Sequence, residues 1–373
     1  MSLSERYSRQ LSLKGFGAEG QQKLSAARVL MIGAGGLGCA ALQYLAAAGV
    51  GHIGIVDDDV VSLSNLHRQV LYTTNDIGLH KAATAKEKLA ALNPEISIIA
   101  YCEWLGTANA LELIAAYDIV VDGTDNFTSR YLINDACVLL NRPVVFGAVS
   151  QYEGQVAVFN YIKNAGDIAA NYRDIFPVQP AANEVPNCAE AGVLGVLPGI
   201  IGTMQASETI KLLTGTGKAL VNELLTYNAL NNQVFSFTIH PNKDTRLLIP
   251  ADRAAFENRD YDWVCDTGNN DFEIGTDTFT QMIHVEGVTV VDVRDAGEWP
   301  VVDQIPCLQI PLAHLESRMD EIETEQVIFF CKSGSRSLQA AKILSGIFGN
   351  SRKIYSLRGG IENWLKATNN LQA

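Results

Sequence analysis

Three features are scarce in this sequence: paired cysteines, long apolar runs and positive charge. The seven cysteines include no CxxC pair, which argues against a disulfide framework and against a zinc site built on such pairs. Asp, Gly or Pro breaks each apolar run before the ~20 residues of a membrane span, and the polar N-terminus lacks a signal core. The net charge of -13 disfavours nucleic-acid and anionic-membrane binding. We therefore expect a cytoplasmic protein that contacts neither nucleic acid nor membranes.

The length predicts two domains, because 373 residues exceed the usual limit of one hydrophobic core. Strand and helix patterns alternate along the first part of the chain, which predicts a doubly wound, Rossmann-like and mostly parallel sheet. A polar stretch without periodicity follows, and then a shorter α/β pattern. The predicted fold class is α/β, with a first domain at 1–249, a linker at 250–275 and a second domain at 276–373.

A glycine turn lies between the first strand pattern and an alanine-rich helix pattern. Gly33, Gly35 and Gly38 fit GxGxxG, where missing side chains let backbone N–H groups approach phosphates at a helix N-terminus. Asp57 ends the second strand pattern, and a carboxylate at that position can hold ribose hydroxyls. Together these residues predict an adenine-nucleotide site.

Charged side chains further along the chain favour ATP over NAD. Arg68 lies in the run Ser64–Gln69 and Lys81 begins a helix pattern. Both bring positive charge to a phosphate chain, which needs it when cleavage at the α-phosphorus develops negative charge. Asp125, within Thr124–Asn126, follows the fourth strand pattern at the edge where open α/β sheets bind ligands. Its carboxylate is a suitable ligand for Mg²⁺.

The second domain contains a loop that begins with a cysteine, Cys331–Arg336. The loop follows an apolar strand pattern and opens a helix pattern. Its amides, the helix N-terminus and the flanking cations Lys332 and Arg336 are expected to stabilise an anionic sulfur on Cys331. The arginine stands one residue closer to the cysteine than in phosphatase loops of this general kind, which suits sulfur better than phosphate.

Residues 5–245 resemble the MoeB/ThiF adenylyltransferases, relatives of ubiquitin-activating enzymes, in the segment Arg6–Gln10 and in all the nucleotide motifs above. The resemblance implies that ATP adenylylates the C-terminal glycine of a ubiquitin-like sulfur carrier ending in Gly-Gly. It also implies a homodimer in which Arg9 reaches the nucleotide of the other subunit. The predicted nucleotide site, with Asp125 as its metal ligand, comprises Gly33, Gly35, Gly36, Gly38, Asp57, Ser64, Asn65, Arg68, Lys81, Asp125 and Asn126.

Residues 276–373 resemble a rhodanese domain, through the cysteine loop, Val291–Arg294 and Leu357–Ile361. The resemblance implies that Cys331 carries a persulfide whose sulfur comes from a donor such as a cysteine desulfurase or thiosulfate. One departure is Gln304–Cys307, which replaces the more usual His-Ile-Pro-Gly. In the first domain, Cys188 occupies the position of the crossover-loop cysteine of ubiquitin-activating relatives, which implies an acyl or disulfide adduct.

A second departure concerns zinc, which many MoeB/ThiF relatives hold with two CxxC pairs. Asn171–Asp174 stands in place of the first pair, and Pro241–Ile249 contains no cysteine for the second. We therefore expect no structural zinc, because oxygen ligands are a poor substitute for thiolates. We also expect the segment after Phe159 to lose its clamp to the terminal hairpin, to rely on packing and to be mobile.

The leading hypothesis is a two-step enzyme that adenylylates a carrier carboxylate with ATP and Mg²⁺ and then transfers sulfur from Cys331. Its product could serve molybdopterin, thiamine, cysteine or tRNA thiolation. The alternatives are an NAD-dependent oxidoreductase fused to a sulfur-handling module and a scaffold that binds carriers without chemistry. The catalytic residues of the leading hypothesis are Arg9, Arg68, Lys81, Asp125, Cys188 and Cys331.

Overall fold

The structure is a computed structural model that describes residues 3–162, 168–180, 192–261, 272–298, 300–302, 304–332 and 334–369. The chain divides into two compact units, the first containing the described residues up to Tyr261 and the second those from Phe272 onward. Each unit contains its own β-sheet. Among the described residues, no helix combines the length and the apolar character that crossing a membrane requires.

The first unit is built on an eight-stranded sheet. Its strands are β1 (Arg28–Ile32), β2 (His52–Val56), β3 (Ser97–Tyr101), β4 (Ile119–Asp122), β5 (Val144–Ser150), β6 (Glu153–Phe159), β7 (Glu223–Asn228) and β8 (Gln233–Thr238). Their order is β3-β2-β1-β4-β5-β6-β7-β8, parallel from β3 to β5 and antiparallel beyond. The strand order reverses between β1 and β4, the switch point at which doubly wound sheets bind ligands.

Helices cover both faces of this sheet. They are α1 (Leu3–Arg6), α2 (Ser8–Leu11), α3 (Gly17–Ala26), α4 (Gly36–Ala48), α5 (Lys81–Leu92), α6 (Ala110–Ala115), α7 (Phe127–Leu139), α8 (Val196–Thr214), α9 (Lys243–Arg246) and α10 (Arg253–Glu257). The alanine-rich α4 ends at Gly49, whose left-handed φ of 87° suits a helix C-terminus. Against it packs α8, so closely that a Cβ on Gly202 would clash with the Leu37 carbonyl oxygen.

The continuous apolar runs of the parallel strands follow from burial on both faces. In β1, Val29 and Met31 point into a core shared with α4, whereas Leu30 and Ile32 point into a core shared with α6 and α7. The side chains alternate because successive residues of a strand face opposite sides of the sheet. These two cores hold the carboxyl ends of β1, β2 and β4 in fixed positions.

Residues 250–261, predicted as part of the linker, pack on the first unit. Phe256 of α10 is fully buried, and Tyr261 is 6% exposed and donates its hydroxyl to Asp135 at 2.8 Å. The polar composition of this stretch concealed its two aromatic anchors, because each stands alone among charged neighbours. The first unit therefore continues beyond the terminal hairpin formed by β7 and β8.

The second unit contains a five-stranded sheet. Its strands are β9 (Glu273–Ile274), β10 (Val288–Asp292), β11 (Leu308–Gln309), β12 (Gln326–Phe330) and β13 (Lys353–Leu357), and its helices are α11 (Thr276–Met282), α12 (Leu315–Arg318), α13 (Ser335–Phe348) and α14 (Gly360–Asn369). The order is β11-β10-β12-β13-β9 with every pair parallel. Both units are thus α/β, and the predicted fold class is confirmed.

Candidate functional site

The glycine turn after β1 forms at the switch point. Gly33 has a φ of 91°, in the left-handed region that favours glycine, and its N–H donates to the Val56 carbonyl at 2.9 Å. A Cβ at Gly33 would lie 2.8 Å from the Gly123 oxygen, and one at Gly38 would clash with the Gly33 oxygen. These glycines are required because the backbones of the turn, of α4 and of the β4 end approach one another without room for side chains.

Asp57 lies against this turn. Its carboxylate accepts the Ala34 N–H at 2.7 Å through Oδ2 and the Asp59 N–H at 3.0 Å through Oδ1. Burial raises the pKa of Asp57 from 3.8 to about 6, and the positive charge of Lys81 opposes this shift. The structure therefore brings together the turn, the ribose-binding candidate and the predicted phosphate-binding cation.

Lys81, at the first position of α5, is held from two sides. Its Nζ donates to Asp59 Oδ2 at 2.7 Å while the lysine side chain is only 6% exposed. The Tyr72 hydroxyl is within hydrogen-bonding distance of two carbonyl oxygens, those of Ala34 at 2.9 Å and Lys81 at 3.2 Å. Tyr72 thus ties the glycine turn to the start of α5, which keeps Lys81 close to that turn.

Arg68 reaches the other side of the turn. Its Nη1 donates to the Ser64 carbonyl at 3.1 Å, and a Cβ added to Gly36 would lie 3.5 Å from its Cγ. Asn65 accepts the Ser62 N–H at 3.4 Å and so closes the turn that precedes Arg68. The Ser64–Gln69 run therefore folds back over the N-terminus of α4, as its proposed role in nucleotide binding requires.

Asp125 stands on a turn anchored at both ends. Before it, the buried Asp122 carboxylate accepts the Thr124 N–H at 3.0 Å and the Thr124 hydroxyl at 2.7 Å through one oxygen. After it, Asn126 accepts the Ser129 N–H at 2.8 Å and caps α7. Between these anchors Asp125 is exposed. Because Gly123 touches Gly33, the Asp125 turn and the glycine turn adjoin.

Two predicted residues are not joined to this cluster. Arg9 lies in α2, next to Gln10, whose Nε2 donates to the Ala48 carbonyl at the end of α4. The glycine turn is at the other end of that helix, about 20 Å away at 1.5 Å per residue. Arg9 therefore does not reach the glycine turn of its own chain. Cys188 lies outside the described residues.

Cys331 occupies the end of β12 in the second unit, where it is fully buried. The Gly334 N–H points to its Sγ at 3.1 Å, and the Cys331 carbonyl accepts the Ile361 N–H at 2.8 Å. Gly334 has a φ of 100°, and a Cβ there would lie 3.0 Å from the Gly359 nitrogen. The loop is thus packed against the start of α14 and provides a backbone donor for a negatively charged sulfur.

Arg336, predicted as a cation of the cysteine loop, forms an ion pair with the Glu298 carboxylate. Its Nη1 and Nη2 donate to Glu298 at 2.9 and 2.6 Å, a bidentate pair that lowers the pKa of Glu298 against the opposing effect of burial. Arg294, also buried, makes a similar pair with Asp292, Nη2 to Oδ2 at 2.6 Å. Glu298 therefore offsets part of the positive charge of Arg336, one of the groups expected to stabilise an anionic sulfur on Cys331.

Hydrogen bonds tie the segment after Phe159 to the chain that follows the terminal hairpin. Asp174 Oδ1 accepts the Asn242 N–H at 3.0 Å and the Thr245 hydroxyl, and Oδ2 accepts the Asn171 N–H at 2.8 Å. Nearby, Arg173 forms a buried bidentate pair with Asp135, at 2.7 Å through both oxygens. The expectation that the segment after Phe159 relies on packing alone is therefore wrong for residues 168–176.

Sequence reasoning missed several polar residues that support the sites, among them Asp59, Gln205 and Glu298. The sequence contained a signal for Asp59, because this residue lies two positions after Asp57 in an acidic run. The sequence contained no signal for Gln205, which lies within an apolar helix pattern. The residue is fully buried, and its Nε2 donates to the Asp122 carbonyl at 2.6 Å. Glu298 could not be paired with Arg336 across 38 positions without the folded chain.

Comparison with known proteins agrees with this geometry. Residues 7–248 match the ThiF family, and residues 276–367 match the rhodanese-like domain. The solved structure of E. coli MccB with ATP is similar at a TM-score of 0.54 and 20% identity, over 62% of this chain and 74% of that chain. At that identity the likeness shows the fold alone.

Curated relatives are similar along nearly the whole chain. The probable adenylyltransferase/sulfurtransferase MoeZ of Mycobacterium tuberculosis is 39% identical, over 97% of this chain and 92% of its own. The probable molybdopterin-synthase adenylyltransferase of Porphyra purpurea is 37% identical, over 98% and 94%. The sulfur carrier protein adenylyltransferase of Thermus thermophilus is 51% identical, over 64% and 88%. The chain therefore belongs to the ThiF family, carries a rhodanese-like domain after it, and is an adenylyltransferase and sulfurtransferase.

Proposed function

We propose that the chain activates the C-terminal carboxylate of a ubiquitin-like sulfur carrier ending in Gly-Gly and then places sulfur on it. The observation that carries the proposal is the convergence of Asp57, Arg68 and Lys81 on one glycine turn at the switch point. The name of the Thermus thermophilus relative, a sulfur carrier protein adenylyltransferase, supports the same substrate class.

In the first step, a carboxylate oxygen of the carrier attacks the α-phosphorus of ATP and pyrophosphate leaves. Asp57 holds the ribose hydroxyls, and the absence of side chains at Gly35 and Gly36 lets backbone N–H groups approach the phosphates. Arg68 and Lys81 offset the negative charge that develops as the bond to pyrophosphate breaks. The products are the carrier acyl adenylate and pyrophosphate.

Mg²⁺ fits beside Asp125. This ion usually binds one or two carboxylates together with water and phosphate oxygens, and an exposed carboxylate on an anchored turn leaves room for them. When bound there, Mg²⁺ would neutralise phosphate charge. The Asn126 oxygen already caps α7, so we assign that residue's free amide group, rather than its oxygen, to the nucleotide.

In the second step, the terminal sulfur of a Cys331 persulfide attacks the acyl carbon and AMP leaves, which joins the carrier to Cys331 through an acyl disulfide. A thiol reductant then supplies two electrons, releasing the carrier thiocarboxylate and the Cys331 thiolate. The Gly334 amide near Sγ supports this role because it can stabilise the Cys331 thiolate, the form that accepts sulfur and that leaves when the acyl disulfide is reduced. A cysteine desulfurase or thiosulfate reloads the persulfide.

We further propose a homodimer in which Arg9 of one chain completes the nucleotide site of the other. The position of Arg9 at the far end of α4 from its own turn supports action across the dimer. Cys188 is assigned an accessory thiol role in the same scheme. The carrier is assigned to molybdopterin or a related sulfur-containing cofactor, following the name of the Porphyra purpurea relative.

ATP–pyrophosphate exchange, measured with each candidate carrier in turn, tests the substrate and the first step together. We expect exchange only with a carrier whose C-terminal carboxylate is intact, and none with a carrier that lacks its final glycine. Intact mass of the productive carrier should then show one oxygen replaced by sulfur when a sulfur donor and a thiol reductant are added. Exchange in the absence of any carrier would contradict the proposal, because it would reveal a different acceptor.

A further inference from the structure

We propose that Asp59 is a placeholder for nucleotide phosphate: it pairs with Lys81 in the nucleotide-free protein and releases Lys81 when ATP binds. The inference rests on the proposed function, in which Lys81 contacts the phosphates. It adds to that function a residue, Asp59, that competes with ATP and thereby sets its affinity.

The first step of the argument is the burial of the Lys81 ammonium. The lysine side chain is 6% exposed, and its Nζ donates to Asp59 Oδ2 at 2.7 Å. The backbones are also joined, because the Lys81 N–H donates to the Asp59 carbonyl at 2.9 Å. A buried cation without a counter-charge is strongly unfavourable. The nucleotide-free protein therefore needs an anion at Lys81, and Asp59 supplies it.

The second step is the asymmetry of the pair. The Asp59 side chain is 59% exposed, whereas that of Lys81 is almost inaccessible. An exposed carboxylate recovers its hydration when it turns toward solvent, so it leaves an ion pair at small cost. The buried lysine has no such freedom, since α5 and Asp59 fix its backbone. The pair therefore opens by movement of Asp59 alone, and Lys81 stays in place for a ligand.

The third step is the charge around Lys81. Asp57 and Asp59 both lie close to this one cation, and burial together with the like charge of Asp59 raises the pKa of Asp57. A triphosphate that approaches meets this excess of negative charge. Its oxygens make stronger charge-assisted hydrogen bonds to an ammonium than one carboxylate does. Binding therefore displaces Asp59 and moves one repelling charge away from the phosphates.

The test is calorimetric titration of the full-length protein with ATP and Mg²⁺, without carrier. Asp59→Asn keeps the shape of the side chain but removes the competing charge. The backbone hydrogen bonds of residue 59 to Lys81 and Asp57 also remain. We expect the variant to lower the dissociation constant of ATP about three- to tenfold. This is the effect expected from removing one partly exposed ion pair. Asp59→Glu, which restores the charge, should return affinity toward the wild-type value.

Asp58→Asn is the matched control, because it removes the same charge from the exposed neighbouring residue. We expect its ATP affinity to stay within about twofold of wild type. The nucleotide-free Asp59→Asn protein should also melt at a lower temperature than wild type, and ATP should raise its Tm by more. Unchanged or weaker ATP binding by Asp59→Asn would overturn the placeholder role while leaving the proposed function standing. Absence of ATP binding by the wild-type protein would overturn the proposed function and this inference together.

Discussion

Asp174 accepts the backbone N–H of Asn242 at 3.0 Å, across 68 positions of the chain. The same carboxylate oxygen accepts the Thr245 hydroxyl, while the other accepts the N–H and side-chain amide of Asn171 at 2.8 and 2.9 Å. One carboxylate therefore joins the segment after β6 to the segment after β8. Hydrogen bonds to a single anion therefore provide this junction.

Removing this carboxylate should destabilise the first unit. Asp174→Ala removes the acceptor of the partly buried Asn171 N–H, a loss that costs about 1–3 kcal/mol. It also removes the acceptor of the exposed Asn242 N–H, whereas the Thr245 hydroxyl can still donate to the Asn242 carbonyl. We expect a reduced free energy of unfolding in urea. Asp244→Ala, at an exposed position in the same segment, is the control and should change stability by less than about 0.5 kcal/mol. Equal stability of the two variants would mean that Asp174 is not a clamp.

Local patterns predicted the glycine turn after β1 well. The alternation of strands and helices, the glycine spacing and Asp57 all lie within one strand-turn-helix-strand unit, so neighbouring residues determine their arrangement. Membership of the ThiF family then removed the two alternatives, a dehydrogenase and a scaffold without chemistry.

The long-range polar pairs could not be predicted in the same way. Asp174 with Asn242 and Arg336 with Glu298 join residues far apart in sequence, and neither partner has a periodicity that marks it. Charged side chains usually remain in solvent, so composition favoured exposure for Asp174, Arg336 and Glu298. The aromatic anchors of residues 250–261 were hidden for a similar reason, because a polar stretch around two buried rings has the composition of a linker.

Asp125→Ala should separate the two activities. The variant loses the carboxylate assigned to Mg²⁺, so we expect carrier-dependent pyrophosphate exchange to fall at least about a hundredfold, the scale typical of losing one stabilising charge. The rate at which Cys331 accepts sulfur from thiosulfate should stay within about twofold of the wild-type rate. Near-normal pyrophosphate exchange in this variant would show that the metal site is assigned to the wrong residue.

Cys331→Ala should give the opposite result. The nucleophilic sulfur enters after activation, so pyrophosphate exchange should remain while thiocarboxylate formation stops. Intact mass of the carrier measures the product directly. Cys307→Ala is the control, because it removes an exposed thiol from the same unit. Full thiocarboxylate yield from Cys331→Ala would exclude the cysteine from the reaction, and loss of yield in both variants would point to a structural effect.

Asp57 should give the stability of the first unit a recognisable pH dependence. Burial raises its pKa from 3.8 to about 6, so between these values the folded protein holds a proton that the unfolded chain has released. The Asp57 carboxyl contributes most to the free energy of unfolding below about pH 4, and this contribution is lost as the pH rises through 6. Asp57→Asn removes the titration, so its stability relative to wild type should improve from pH 4 to pH 7. Parallel urea-unfolding profiles for the two proteins would contradict the shift.

The last prediction is that the protein contains no structural zinc. A closed zinc site needs four ligands, usually thiolates or imidazoles. Among the described residues no group of three or more His, Cys, Asp or Glu side chains is placed to hold a metal ion. Asp174, the only acidic residue of Asn171–Asp174, already accepts four hydrogen bonds through its two oxygens.

Elemental analysis of protein purified without chelator measures the metal directly, and thermal unfolding with and without EDTA measures its contribution to stability. We expect far less than one zinc per chain and the same Tm in both conditions, because the Asp174 clamp requires no metal. Asp174→Ala should lower the Tm equally with and without chelator. Zinc near one equivalent per chain, retained through dialysis and removed by EDTA with a fall in Tm, would mean that a metal rather than this carboxylate stabilises the junction.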